Sequence, residues 1–212
     1  MENLSKIADQ IRQSFDARTL AREQALMQAR KLTQHSAYAI RAIHRGEEQQ
    51  AQKHLIDAGK LTADLKLKLA EFPDLYFAGY TQDAIKEYVE ASITRALIES
   101  KSLPTPDELD VEHAAYIKGL AETVGELRRR CLDILRKGYS EEAERLLSCM
   151  DEIYALLVTL DYPDAVTHGL RRQTDLVRGI LERTRGDLTT SLRENKLLQA
   201  MEDLNNRLPP VD

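Results

Sequence analysis

Residues that break or staple a chain are scarce here: among 212 residues there are nine glycines, six prolines and two cysteines, with no tryptophan. So few Gly and Pro leave too little punctuation for a fold of many short strands and tight turns. The two cysteines, Cys131 and Cys149, stand in apolar helical patterns without paired spacing. That excludes a disulfide framework and a thiolate metal site, and it points to a reducing, cytoplasmic compartment. No window reaches the roughly 18 uninterrupted apolar residues of a membrane span. The opening Met1-Glu-Asn-Leu-Ser-Lys6 has no apolar core of signal-peptide length. No period of tens of residues marks a solenoid. The Glu-x-x-His pairs of di-iron bundles are missing as well. Their nearest variant, Asp110-Val-Glu-His113, reads as a helix cap, and His35, His44, His54 and His168 show no ligand spacing and read as polar helix residues.

Hydrophobic residues make up 42% and charged residues 31% of the chain. Ala, Leu, Glu, Arg and Gln dominate, the composition of an all-α protein. The expected architecture is one domain over 1–212, about seven helices in an antiparallel bundle. A frayed tail begins near residue 208, because Pro209-Pro210 cannot continue a helix. The net charge of -5 means that a nucleic-acid ligand would need positive charge gathered on one surface or supplied by a metal.

The first helix is expected from about Asn3 to Arg45, with a break near Ser14 to Arg18, ending at Gly46. Its inward stripe is Ala25, Ala29, Leu32, Ser36, Ala39, Ile40 and Ile43, small enough for close helix contact. Arg30, Gln34, Arg41 and Arg45 lie on the far side, either as a solvated face or as a line for phosphates. A second helix follows from about Glu47 to Glu71, with Ala51, Leu55, Ala58, Leu61, Leu65 and Leu69 inward. The aromatic run Leu75-Tyr-Phe-Ala-Gly-Tyr80 reads as a plug at a helix start rather than a platform for bases. Thr105-Pro106-Asp-Glu108 has the form of a capping box, and Ser140 that of an N-cap. After Asp161-Tyr-Pro163 one long helix is expected to reach about Arg207.

The chemistry concentrates on the third and fourth long helices. At about 100° per residue, Ile85, Val89, Ile93 and Leu97 share one face, while Asp83, Glu87, Glu90 and Thr94 lie nearly opposite, on the expected wet side. In the next helix Tyr116, Leu120, Val124, Leu127 and Cys131 face inward, leaving Glu122 and Glu126 opposite. Gly119 and Gly125 flank that pair and would leave room for a substrate backbone. Four carboxylates from two helices can hold a divalent cation; spacing alone favours glutamates that simply face water.

Three segments carry a resemblance to a known family. They are Arg22-Glu23 with Arg30 and the Ala39-Ile-Arg41-Ala-Ile-His44-Arg45 run, the sharper Glu87-Tyr-Val-Glu90-Ala91, and Tyr116-Ile-Lys-Gly119-Leu-Ala-Glu122-Thr-Val-Gly125-Glu126-Leu127. The closing Leu170-Arg-Arg-Gln-Thr-Asp-Leu-Val-Arg-Gly-Ile180 helix adds a weaker match. Together they resemble the translin family, specifically its catalytic branch, translin-associated factor X, in an archaeal-type single-gene form. The resemblance implies an all-α subunit that assembles into a closed homo-oligomeric shell around short single-stranded RNA or DNA. It also implies a Mg²⁺-dependent endoribonuclease, with Mn²⁺ as the alternative ion. By motif, Glu87 and Glu90 match the family's first two carboxylates, and Glu122 and Glu126 match its Asp-x-x-x-Glu pair, here beginning with Glu. Non-catalytic translin subunits lack the paired glutamates at the earlier positions. Arg30, Arg41, Arg45 and Arg129 are the candidates for holding phosphates. A non-catalytic single-strand-binding protein of the same architecture, and a helical scaffold for another protein, remain the alternatives.

Overall fold

The computed structural model of the chain describes residues 2–207. The expected frayed tail lies outside the described residues. All regular structure among them is helical, in the order α1 (Glu2–Arg45), α2 (Glu48–Lys68), α3 (Pro73–Tyr76), α4 (Gly79–Ile98), α5 (Pro106–Leu109), α6 (His113–Leu135), α7 (Glu141–Thr159), α8 (Asp164–Thr167) and α9 (Leu170–Arg207). Three of these are single turns, so the expected bundle of about seven helices is close to the six long ones found. No described helix is long and apolar enough to cross a membrane.

Two compact units partition the chain: Met1–Ala96 with Ser102–Gly119, and Leu97–Lys101 with Leu120–Asp212. In the first, α1 packs along α2. The stripe expected on α1 is the one buried: Ala25, Ala29, Leu32, Ser36, Ala39, Ile40 and Ile43. Opposite it α2 buries Ala51, Ala58, Thr62 and Leu65, the first three small enough to let the two backbones approach. Leu55 and Leu61 are only half-buried. Ser36 and Thr62 bury their hydroxyls by donating to the carbonyls of Leu32 and Ala58 one turn back. Gly46, at φ 73°, ends α1 and turns the chain into α2. No break occurs near Ser14 to Arg18: α1 runs unbroken for 44 residues, because nothing in that stretch removes a backbone donor. Its first turns carry an exposed apolar stripe of Leu4, Ile7, Ile11 and Phe15.

The aromatic plug forms only in part: Leu75 and Tyr76 are buried in α3, while Phe77 stays 59% exposed. Thr81 and Gln82 of α4 reach back to the carbonyls of Leu75 and Tyr76 at 2.9 Å each, fixing how α4 starts. Thr105 and Glu108 exchange both bonds of the capping box, Glu108 N to Thr105 Oγ1 at 3.2 Å and Thr105 N to Glu108 Oε2 at 2.7 Å. The second unit is built on Leu127 and Cys131 of α6, Leu146, Met150 and Leu157 of α7, and Val177, Leu181 and Leu188 of α9. Ser140 caps α7 by accepting from Glu142 N at 3.2 Å. Arg128 ties α6 to α9 through Thr184 at 3.0 Å and Asp187 at 2.8 Å. The helix after Pro163 is not continuous: His168 (φ 51°) and Gly169 (φ 89°) both turn left-handed and separate α8 from α9.

Candidate metal and nucleic-acid site

Helix α4 departs from its two-faced pattern. Beyond the expected stripe of Ile85, Val89 and Ile93, it buries Ala84, Tyr88, Ala91 and Ala96, and on the supposedly wet side Glu90 and Thr94. Glu90 is 8% exposed and Thr94 0%. A helix apolar on most sides is a central one, and its remaining polar groups are enclosed rather than solvated. Glu87 keeps 31% of its side-chain surface, with Lys86 Nζ 3.3 Å from its Oε1.

Gly119 sets how closely α6 approaches α4. A Cβ on Gly119 would meet Val89 Cβ and Cγ1 at 2.7 Å each and the Lys86 carbonyl oxygen at 2.9 Å. It therefore gives room to the neighbouring helix, not to a substrate. Nothing stands within 4 Å of a Cβ at Gly125, where the expected open space is present. One turn beyond Gly119, Glu122 brings a carboxylate to the glutamates of α4. Oxygens of Glu87, Glu90 and Glu122 lie within 4.8 Å of one another. Glu126 does not belong to that group and has Arg129 NH1 3.5 Å from its Oε2.

A further contributor, which the sequence reading did not name, comes from α9. Gln173 Nε2 donates to Glu122 Oε1 at 3.1 Å. That bond fixes the orientation of the amide, since a carboxylate only accepts. Gln173 Oε1 is then buried with no partner. Such an atom calls for a bound donor or ion nearby. The donor set is hard, anionic oxygen, which suits Mg²⁺ or Mn²⁺ rather than a thiophilic metal. On both counts these residues fit a divalent cation.

Of the four arginines, Arg30, Arg41 and Arg45 are exposed on one face of α1, and Arg129 lies on α6 at 52% side-chain exposure. Arg41 sits 5.8 Å over the Tyr38 ring. With Arg45, Gln50 and His54 it borders a concavity of about 220 Å³. Fifteen residues of helix, about 22 Å, separate Arg30 from Arg45, so the line they make is long enough for several nucleotides.

No protein-family model matches the sequence. An uncharacterised protein of Methanocaldococcus jannaschii, MJ0175, is 34% identical over 182 residues, 85% of this chain and 81% of that protein. Among solved structures, AfC3PO in complex with duplex RNA superposes with a TM-score of 0.82 at 34% identity, over 88% of this chain and 97% of that one. The chain belongs to the translin family. AfC3PO on its own gives a TM-score of 0.81 at 33% identity over the same shares of the two chains. Apo-NeC3PO gives 0.79 at 21%, over 87% and 96%, and so speaks for the shared fold. Within the translin family these neighbours stand on the side of its catalytic branch.

Proposed function

We propose that this translin-family chain is a metal-dependent endoribonuclease. The observation that carries the reading is the convergence of Glu87, Glu90 and Glu122, one of them buried. Glu87 and Glu90 from α4 and Glu122 from α6 would hold Mg²⁺, or Mn²⁺ in its place. The ion supplies a Lewis acid that stabilises charge developing on a phosphodiester. The protein's part is to fix the three carboxylates on rigid helices, to orient Glu122 through Gln173, and to keep Lys86 beside Glu87 as a counter-charge. Arg30, Arg41, Arg45 and Arg129 would grip backbone phosphates, an electrostatic contact that adds affinity without reading sequence.

That AfC3PO binds a duplex RNA supports RNA as the ligand class; the strand state cut by this chain is read as single-stranded, with DNA as a competing ligand. Assembly into a homo-oligomeric shell draws support from two exposed apolar stripes: Leu4, Ile7, Ile11 and Phe15 on α1, and Leu197, Leu198, Met201 and Leu204 on α9. Exposed apolar surface of that extent commonly marks association. Glu126, outside the carboxylate group, favours a second reading, a binding shell of the same architecture without cleavage.

End-labelled single-stranded and duplex RNAs, incubated with the chain in Mg²⁺, in EDTA, and with Glu90→Gln in Mg²⁺, separate these readings. Cleavage of the single strand in Mg²⁺ alone is expected. RNA retained intact in Mg²⁺, with affinity falling steeply with salt, would select the binding shell instead, and preferential cutting of the duplex would overturn the single-strand assignment.

A further inference from the structure

Two imidazoles that are 19 residues apart in sequence meet where α1 packs against α2. His35 Nδ1 and His54 Nδ1 are 3.2 Å apart, with ring centroids at 5.3 Å and planes inclined by 60°. Asp57, one turn after His54 on the same face of α2, places Oδ2 3.9 Å from His35 Nδ1. We propose that His35, His54 and Asp57 form a second metal site, for a late first-row divalent ion of the Zn²⁺ type, separate from the glutamate cluster and independent of the nuclease reading.

The argument is one of distances and ligand chemistry. Zinc bonds imidazole nitrogen at about 2.0–2.1 Å, so two nitrogens on a tetrahedral ion stand about 3.3 Å apart. The observed 3.2 Å needs almost no rearrangement. Asp57, 3.9 Å from His35 and 35% exposed, must turn toward the imidazole pair to become the third ligand. Lys60, 3.9 Å from the other Asp57 oxygen, has 74% of its side chain in solvent and can swing away. His35, at 28% side-chain exposure, leaves the pair reachable by water, which would complete the tetrahedron. The Tyr38 ring, 5.3 Å from that of His54, shields one side. Two neutral imidazoles and a carboxylate carry one negative charge and prefer a borderline ion over Mg²⁺. A single Nδ1–H···Nδ1 hydrogen bond would also account for the ring separation, and the Zn²⁺ titration below separates the two. Bound there, the ion would clasp α1 to α2.

The test uses the full chain stripped with EDTA and titrated with Co²⁺ in excess Mg²⁺, so that the oxygen site is filled. Visible absorption typical of tetrahedral Co²⁺, saturating at one ion per chain and erased by Zn²⁺, is expected. His35→Gln and His54→Gln should each weaken Zn²⁺ at least tenfold with the helical circular dichroism unchanged, and Asp57→Asn should weaken it less. On the wild-type chain, ¹⁵N shifts of both Nδ1 atoms should move together on adding Zn²⁺, a readout that needs no variant. No tetrahedral Co²⁺ spectrum, Zn²⁺ affinity equal in wild type and both histidine variants, or Nδ1 shifts indifferent to Zn²⁺ would each overturn the site. Loss of RNA cleavage with these results intact would refute the nuclease reading alone.

Discussion

Gly119→Ala is the substitution on which the placement of α6 against α4 turns. The added methyl would stand 2.7 Å from Val89 Cβ and 2.9 Å from the Lys86 carbonyl oxygen. Carbon atoms settle at about 3.5–4.0 Å, so the helices must part by about 1 Å at the crossing. Neither obstacle is the end of a flexible side chain, and overpacking of this kind costs about 2–3 kcal/mol. Alanine returns about 1 kcal/mol of helix propensity. The net loss is about 1–2 kcal/mol, a fall in Tm of about 2–8 °C for a chain of this size. Gly125→Ala supplies the control: in the same helix, with nothing within 4 Å of its new methyl, it should keep the propensity gain and raise Tm. Thermal melts followed by circular dichroism measure both. Because Glu122 lies one turn beyond Gly119, Mn²⁺ affinity by calorimetry should fall in Gly119→Ala and hold in Gly125→Ala. If the two variants melted alike, the close approach at Gly119 would not be what positions Glu122.

Gln173→Ala removes the 3.1 Å bond to Glu122 and should weaken Mn²⁺ binding about tenfold; unchanged affinity in calorimetry would show that Glu122 is held without it. Burial, then His35 nearby, depresses the pKa of His54 below 6.5, with Asp57 opposing and Lys53 adding to the shift. The unfolded chain therefore takes up its proton first on acidification, so the stability present above pH 6.5 is lost as pH falls toward the lower folded value. Urea melts at descending pH should show a steeper loss for wild type than for His54→Gln, and parallel losses would refute the shift. Burial pushes the Cys131 thiol up to about 11, so it should resist Ellman's reagent in the native chain and react only after denaturation; rapid native labelling at Cys131 would mean that the second unit opens readily.

Local chemistry made much of the fold legible. Gly46, Thr105 with Glu108, and Ser140 act through their immediate neighbours, and each does in the structure what its sequence context dictates. The stripe on α1 was legible for the same reason, since an apolar period of one helix depends only on that helix. The break at His168 and Gly169 was not, because a left-handed histidine leaves no mark in a hydrophobic pattern. Nor was the burial of Glu90. A stripe of Ile85, Val89 and Ile93 predicts one packed face, but Ala84, Ala91 and Ala96 on the flanks let other helices close in, and the carboxylate goes inside with them. Gln173 and the His35–His54 pair depend on contacts 51 and 19 residues apart, beyond the reach of any spacing rule.

The burial of Glu90 weighs against glutamates that are simply solvated. Carboxylates no more than 4.8 Å apart repel by about 3–4 kcal/mol a pair at an effective dielectric of about 20. Glutamates in open water would escape this by turning apart, as side chains on an exposed helix face do. Glu90, at 8% exposure on a helix covered on most sides, has little freedom to turn. Lys86 offsets part of the charge at Glu87, and a divalent cation would offset more of it. A divalent ion would relieve all three pairs at once. The buried, partnerless oxygen of Gln173, on the residue that holds Glu122, is the second observation that fits a cation there.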